Sequence, residues 1–194
     1  MIASVVLNMI FKTLLLLLDG YVQSNNMEGL QVYYSQLLDD CEKVNNLSTL
    51  NPDVINEPAV YSLLTTKYHL ADEKGISIHL EVFLNLKELN MKIYEFTRIL
   101  GILLDNAIEA ASECENKLVH LVIRRDFHQA RQLLIIENTY SNKNIDTEKI
   151  YEKGFSSKPH NTGLGLWEVR QILKKRNNLN LFTSKDDNFF RQQL

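Results

Sequence analysis

Two separated segments constrain this chain more than any other part of it. The first, Leu100-Gly101-Ile102-Leu103-Leu104-Asp105-Asn106-Ala107-Ile108-Glu109-Ala110-Ala111, reads as an apolar helix that carries one amide and two acids. The second runs from Lys153 and Gly154 through Phe155, Ser156, Ser157 and Lys158 to Asn161, Thr162, Gly163, Leu164, Gly165 and Leu166. It is a polar loop punctuated by glycines and followed by an amphipathic helix, the pattern that aims backbone N–H groups and a helix N-terminus at phosphates. A bare Gly-x-Gly is common in turns, and a helix amide ordinarily bonds a neighbouring backbone group. The two segments together, in this order, predict a nucleotide pocket.

Helical spacing places Ile102, Glu109 and Ala110 on the Asn106 side of the first segment and Asp105 on the other flank. An amide oxygen directed from a packed helix into a cleft suits Mg²⁺ carried on substrate phosphates. Gly163 and Gly165 lack β-carbons where the backbone must approach those phosphates. Phe155, Ser157 and Lys158 add an aromatic anchor, a hydroxyl and a cation to a lid.

The remaining pattern is that of one ordinary domain with a small appendage, which 194 residues and 45% hydrophobic content can support. A formal net charge of −3 provides no basic field for a polyanion, so nucleic acid is excluded as partner and phosphate binding is local. Cys41 and Cys114 sit in separate predicted helices without metal-ligand or disulfide spacing, as expected for thiols in a reducing compartment. Met1 to Leu18 is apolar apart from Ser4, Asn8, Lys12 and Thr13. It has neither the basic start nor the small-residue cleavage site of a signal peptide. A membrane span is the second reading, because Lys12 would be costly in hydrocarbon. The first is an interface helix buried against its neighbour and against a second copy, which predicts a homodimer through residues 1–48.

Periodicity predicts a helical hairpin from 2–23 and 27–46, joined at Ser24-Asn25-Asn26, and a linker at Asn45 to Asp53. Beyond it come a helix over 57–73 with Pro58 in its first turn and Gly75 at its end, a strand over 76–84 and a long helix over 91–114. Two strands, 117–125 and 132–137, flank a turn at Phe127 to Arg131. A polar insert between Asn138 and Lys153 is expected to be functional or mobile. A helix over 164–176 and a hairpin of 179–184 with 188–194 finish the chain. The expected fold is α+β: the helical hairpin over 1–48, then over 54–194 an α/β sandwich with helices on one face of a mixed sheet. Trp167 is expected in the core, and the five histidines, His69, His79, His120, His128 and His160, form no metal-ligand pair.

The Asn106 segment, Gly154-Phe155-Ser156-Ser157-Lys158 and Asn161-Thr162-Gly163-Leu164-Gly165-Leu166 resemble the asparagine, phenylalanine and second glycine boxes of the GHKL ATPase superfamily. Within it the chain is similar to the cytoplasmic part of bacterial sensor histidine kinases of the Agr and Com, peptide-pheromone (quorum-sensing) branch. The resemblance implies a HATPase-type catalytic domain that binds ATP and Mg²⁺ and transfers phosphoryl groups to histidine. Asn106 would be the Mg²⁺ ligand, Phe155 the lid anchor, and Gly163, Leu164 and Gly165 the phosphate loop. Glu109, Ser157, Lys158 and Thr162 would contact the nucleotide beside them. It further implies a response regulator as partner, a cytoplasmic location, and membrane contact only through a sensor region not contained in residues 1–194.

Two departures stand out. Where the superfamily carries an aspartate and glycines after the third strand, this chain has Asn138-Thr139-Tyr140, and Asn138 could meet an adenine amino group with its amide oxygen. Relatives place a phospho-accepting histidine and an acid about three helical turns before a Gly-Tyr pair. Counting back from Gly20-Tyr21 gives Met9-Ile10, and a thioether cannot replace imidazole as nucleophile. The chain is then a fragment or degenerate relative of a kinase, or a regulator that binds ATP and a partner without accepting phosphate. Hydrolysis would need a base on the Asn106 face, where Ile102 stands.

Overall fold

The computed structural model describes residues 16–34, 50–155 and 163–194. The chain divides into two compact units between Ser48 and Thr49, inside the stretch expected as linker. In the first unit, residues 16–23 (α1) and 27–34 (α2) are helical on either side of a turn. Asn25 takes a positive φ of 52° there, and Asn26 Oδ1 caps the second helix by accepting from Gly29 N at 2.9 Å. Tyr21 stacks on Tyr33 with 5.4 Å between ring centres. The remainder of the expected hairpin, including Met9, Ile10 and Cys41, lies outside the described residues.

The second unit follows the expected element order: α3 (Pro58–Glu73), β1 (Ser77–Val82), α4 (Ile93–Ser112), β2 (Leu118–Asp126), β3 (Arg131–Thr139), α5 (Gly165–Leu173), β4 (Phe182–Lys185) and β5 (Phe189–Gln193). Pro58 occupies the first turn of α3, where a missing N–H costs nothing. Gly75, at φ +65°, ends it. Gly75 N donates to Asp72 O and Ile76 N to Ala71 O, the paired bonds that close a helix through a left-handed residue.

The strands form one mixed sheet in the order β1-β2-β3-β5-β4. β1 and β2 are parallel, with Ile78 opposite Val119 and Leu80 opposite Leu121, so the chain must cross over between them, and α4 supplies the crossover. The other neighbours are antiparallel. Alternation sends Ile78, Leu80, Val119, Leu121, Ile123, Leu134 and Ile136 to a buried face, against α3 and α4, with α5 packed on α4.

α4 is the centre of this packing. Phe96, Ile99, Leu100, Leu103, Leu104, Ala107, Ile108 and Ala111 recur at three- and four-residue intervals and are all buried. Truncating Leu103 or Leu104 to alanine would cost about 2–5 kcal/mol in such a core. Leu50 also lies against this core, and Ile55 is 1% exposed.

Three local expectations are corrected. α5 ends at Leu173 and β4 begins only at Phe182, because the chain turns at Lys174-Lys175 through Lys175 N to Ile172 O and Arg176 N to Leu173 O bonds and again at Asn177-Asn178 through a Leu179 N to Arg176 O bond. β3 runs from Arg131 through Thr139, past the strand expected over 132–137, and within the 138–153 insert a single 3₁₀ turn covers Lys149–Tyr151 with Ile150 buried. Trp167 is half-buried rather than core, its ring lying under Lys153 Nζ at 5.3 Å, where the long aliphatic stem can cover it and keep its charge in water.

Candidate nucleotide site

A cavity of about 260 Å³ opens between α4, the ends of β3 and β5, the 140–150 segment and the start of α5. Asn106 lies on its floor because it flanks the buried stripe of α4, between Leu103 and Ala107 on one side and the solvent-facing Asp105 on the other. Asp105 is drawn away to Lys67 of α3, at 2.6 Å. Glu109, Ala110 and Glu113 continue the Asn106 edge along the cavity, as one helical face must. The Asn106 amide Nδ2 is buried and has no hydrogen-bond partner. An orphaned buried N–H donor costs about 1–3 kcal/mol, a cost relieved by an incoming ligand atom that accepts from it.

Opposite Asn106, the glycine loop is pinned at both ends. Gly154 (φ +81°) donates its N–H to Gly163 O at 3.1 Å, so residues 154 and 163 meet. Gly163 has φ +61°, and a β-carbon on it would lie 2.4 Å from Phe155 O and 2.5 Å from the Gly154 carbonyl carbon. No other residue fits this position. Phe155, Gly163, Leu164, Gly165 and Leu166 all line the cavity. Leu164 stands at the N-cap of α5 without any side-chain cap, which leaves the first N–H groups of that helix for an anion. Ile102 packs from beneath: its Cγ2 would be 3.1 Å from a β-carbon at Gly165. The position that a hydrolytic base would need is therefore filled by packing. Ser157, Lys158, Thr162 and His160 lie outside the described residues.

At the far end of the cavity Asn138 is 3% exposed, opposite Val119 on one side and Phe190 on the other. Its Nδ2 donates to Thr139 O at 2.8 Å, which commits the nitrogen and leaves Oδ1 as the acceptor. Tyr140, Ile145, Ile150, Phe190 and Gln192 complete the walls. Burial, with Asp186 and Asp187 nearby, raises the Tyr140 hydroxyl above the ordinary tyrosine range, so it is a neutral donor at pH 7. None of these five was legible as a site residue, because they come from the 140–150 segment and from β5 and share no spacing with the glycine loop. The one available signal was Gln192, a polar residue at an inward position of an otherwise amphipathic strand.

The described lining holds two carboxylates, Glu109 and Glu113, and no lysine or arginine. Glu113 accepts from Ser141 Oγ at 3.3 Å. A polyphosphate entering such a pocket must bring a cation with it. The Asn106 amide, the uncapped helix start and the glycine cradle fit a Mg²⁺-bearing nucleotide. No group of His, Cys, Asp and Glu among the described residues is placed to hold a metal without one.

Comparison with known proteins gives a family and a fold. The GHKL domain model matches residues 91–194, more than half of the chain, and the chain belongs to that family. Among solved structures, one nucleotide-free form of the catalytic domain of histidine kinase ThkA is 22% identical, with a TM-score of 0.53 over 69% of this chain and 90% of that one. Another nucleotide-free form is 20% identical, with a TM-score of 0.55 over 77% and 94%. At these identities the likeness is one of fold. No curated protein matches. No helix among the described residues is long and apolar enough to cross a membrane.

Proposed function

We propose that this chain is the cytoplasmic region of a sensor histidine kinase of the Agr/Com peptide-pheromone type. Residues 49–194 bind Mg-ATP for phosphoryl transfer to a histidine, and residues 1–48, in which Met9 stands at the expected acceptor position, form the homodimer that pairs with a response regulator. The carrying observation is the unpartnered Asn106 amide facing a glycine cradle and an uncapped helix start across one cavity. Asn106 would hold Mg²⁺ on the phosphates through Oδ1 while its unpartnered Nδ2 donates to a ligand oxygen, Glu109 would contact the nucleotide beside it, and the bound ion would offset the charge that develops on the transferred group. The backbone around Gly163 and the N-terminus of α5 would orient the phosphates, with Phe155 anchoring the lid. Asn138 Oδ1 would accept from the base.

A second reading is a non-catalytic ATP-binding module that pairs with a kinase or response regulator. It is favoured by one feature: none of the five histidines falls within residues 1–48, and Met9 occupies the expected acceptor position. Both readings share the nucleotide pocket, which calorimetry with a non-hydrolysable ATP analogue and Mg²⁺ tests directly. Binding is expected for the wild type and lost in Asn106→Ala and Gly163→Val. Unchanged binding in both variants would remove the site assignment.

A further inference from the structure

The base-side wall of the cavity is held by two lysines that do not line it. Lys185, at the end of β4, donates from Nζ to the carbonyls of Lys143 at 2.8 Å and Ile145 at 2.7 Å. Lys143 donates from Nζ to Tyr140 O at 3.0 Å and to Asp187 O at 2.6 Å. The same ammonium sits 3.8 Å from the centre of the Tyr140 ring. Tyr140 OH donates to Asp186 O at 2.6 Å, and its ring meets Phe190 edge to face at 6.0 Å. Two ammonium groups and a phenol thus tie the 140–145 segment to the β4–β5 turn through main-chain carbonyls.

The turn is itself braced. Asp186 Oδ1 accepts from Asn188 N and Phe189 N, both at 2.8 Å. These bonds hold the Asp186 carboxyl below its ordinary range. Charge-assisted bonds to carbonyls are stronger than neutral ones and fix the segment more tightly than a turn of its composition would fix itself. The segment so fixed carries Tyr140, Ser141, Asn142 and Ile145 into the cavity, directly after the Asn138 acceptor.

We propose that Lys143 and Lys185 are positioning residues for the nucleotide base: acting through the backbone, they set the wall that selects adenine, without touching the ligand. This rests on the nucleotide reading of the cavity. The phosphate end, built from Asn106, Phe155 and Gly163–Leu166, is held by other bonds and does not depend on them.

The test uses the full chain with Mg²⁺ and measures competition of ATP and GTP against a fluorescent non-hydrolysable ATP analogue. Wild type should prefer ATP, and Lys185→Met should reduce that preference about tenfold. Lys185→Arg keeps a cationic donor and should restore most of it. A merely structural role would weaken both nucleotides equally and leave their ratio unchanged, which would overturn the proposal. Should Lys185→Met fail to fold, Tyr140→Phe removes only the hydroxyl bond to the Asp186 carbonyl and should lower the same ratio. An unchanged ratio in Tyr140→Phe would then overturn it. A wild type that binds both nucleotides with no preference would overturn it too, and absence of all nucleotide binding would instead remove the reading of the cavity.

Discussion

Asn106 is costly to the unliganded molecule. Its Nδ2 is buried without a partner while its neighbours Leu103, Leu104, Ala107 and Ile108 are packed. Alanine at this position removes the orphaned donor and is the better helix former, and because the side chain borders an open cavity its removal leaves no sealed void. Asn106→Ala is therefore expected to raise the unliganded melting temperature by about 2–4 °C, the shift that 1 kcal/mol gives a chain of this size. The same variant should lose the further rise that Mg-ATP gives the wild type. A variant that melts lower than wild type and still responds to the nucleotide would contradict this. Gly163 is the opposite case: its positive φ, and the Phe155 carbonyl that any β-carbon there would meet, make it a structural requirement.

At the scale of elements, the helix that begins at the glycine loop and the turn that follows it are each held to the central helix at one point. Arg98 Nε and Nη2 donate to the two Glu168 oxygens at 2.7 and 2.6 Å, and Arg176 Nη2 donates to Glu95 Oε2 at 2.6 Å. The Arg98 bonds hold the Glu168 carboxyl below its ordinary range against the opposing effect of burial. A carboxyl whose folded pKa is depressed stabilises the fold above its unfolded pKa of about 4.3, and that contribution is lost as pH falls through the folded value. Both partners are more than a third exposed, which limits the pair to about 0.5 kcal/mol. Glu168→Gln should therefore lower the melting temperature slightly at pH 7, with the gap to wild type closing as pH falls below about 4. A gap that stays constant through acid would show that the pair does not stabilise the fold through charge. Glu168 also lies in the first turn of α5, where a negative charge suits the helix dipole.

For the whole molecule, the two units carry separable halves of the proposed activity. The catalytic unit has its own core, and the pocket and any acceptor lie on different parts of the chain. Leu14 to Leu18 together with Leu30, Leu37 and Leu38 are too apolar to leave in water unpartnered. The full chain is expected to sediment as a dimer and residues 49–194 as a monomer. Incubation of the full chain with γ-labelled ATP should give no acid-labile, base-stable label, and Met9→His with Ile10→Asp is the variant to recover it. A full chain that is monomeric at high concentration, or strongly labelled as it stands, would contradict the respective half. In the second case His69 and His160 are the acceptors to test first.

What the sequence determined by itself was local and periodic. The stripe from Phe96 to Ala111, Pro58 and Gly75 at the ends of one helix, and the alternation of Leu118 to Arg125 each follow from geometry over a few residues, so the elements and the helices-on-one-face architecture could be read directly. Asn106 and Gly163 were legible for the same reason, since each sits in a short segment whose residue types serve one chemistry. The base side of the pocket was not. Tyr140, Ile145, Phe190 and Gln192 converge only because β5 enters the sheet beside β3, and two lysines bond carbonyls about forty residues away in the chain. Side chains that act through another segment's main chain leave no spacing to recognise, because any residue offers that carbonyl. Only the tertiary fold decides which one is reached.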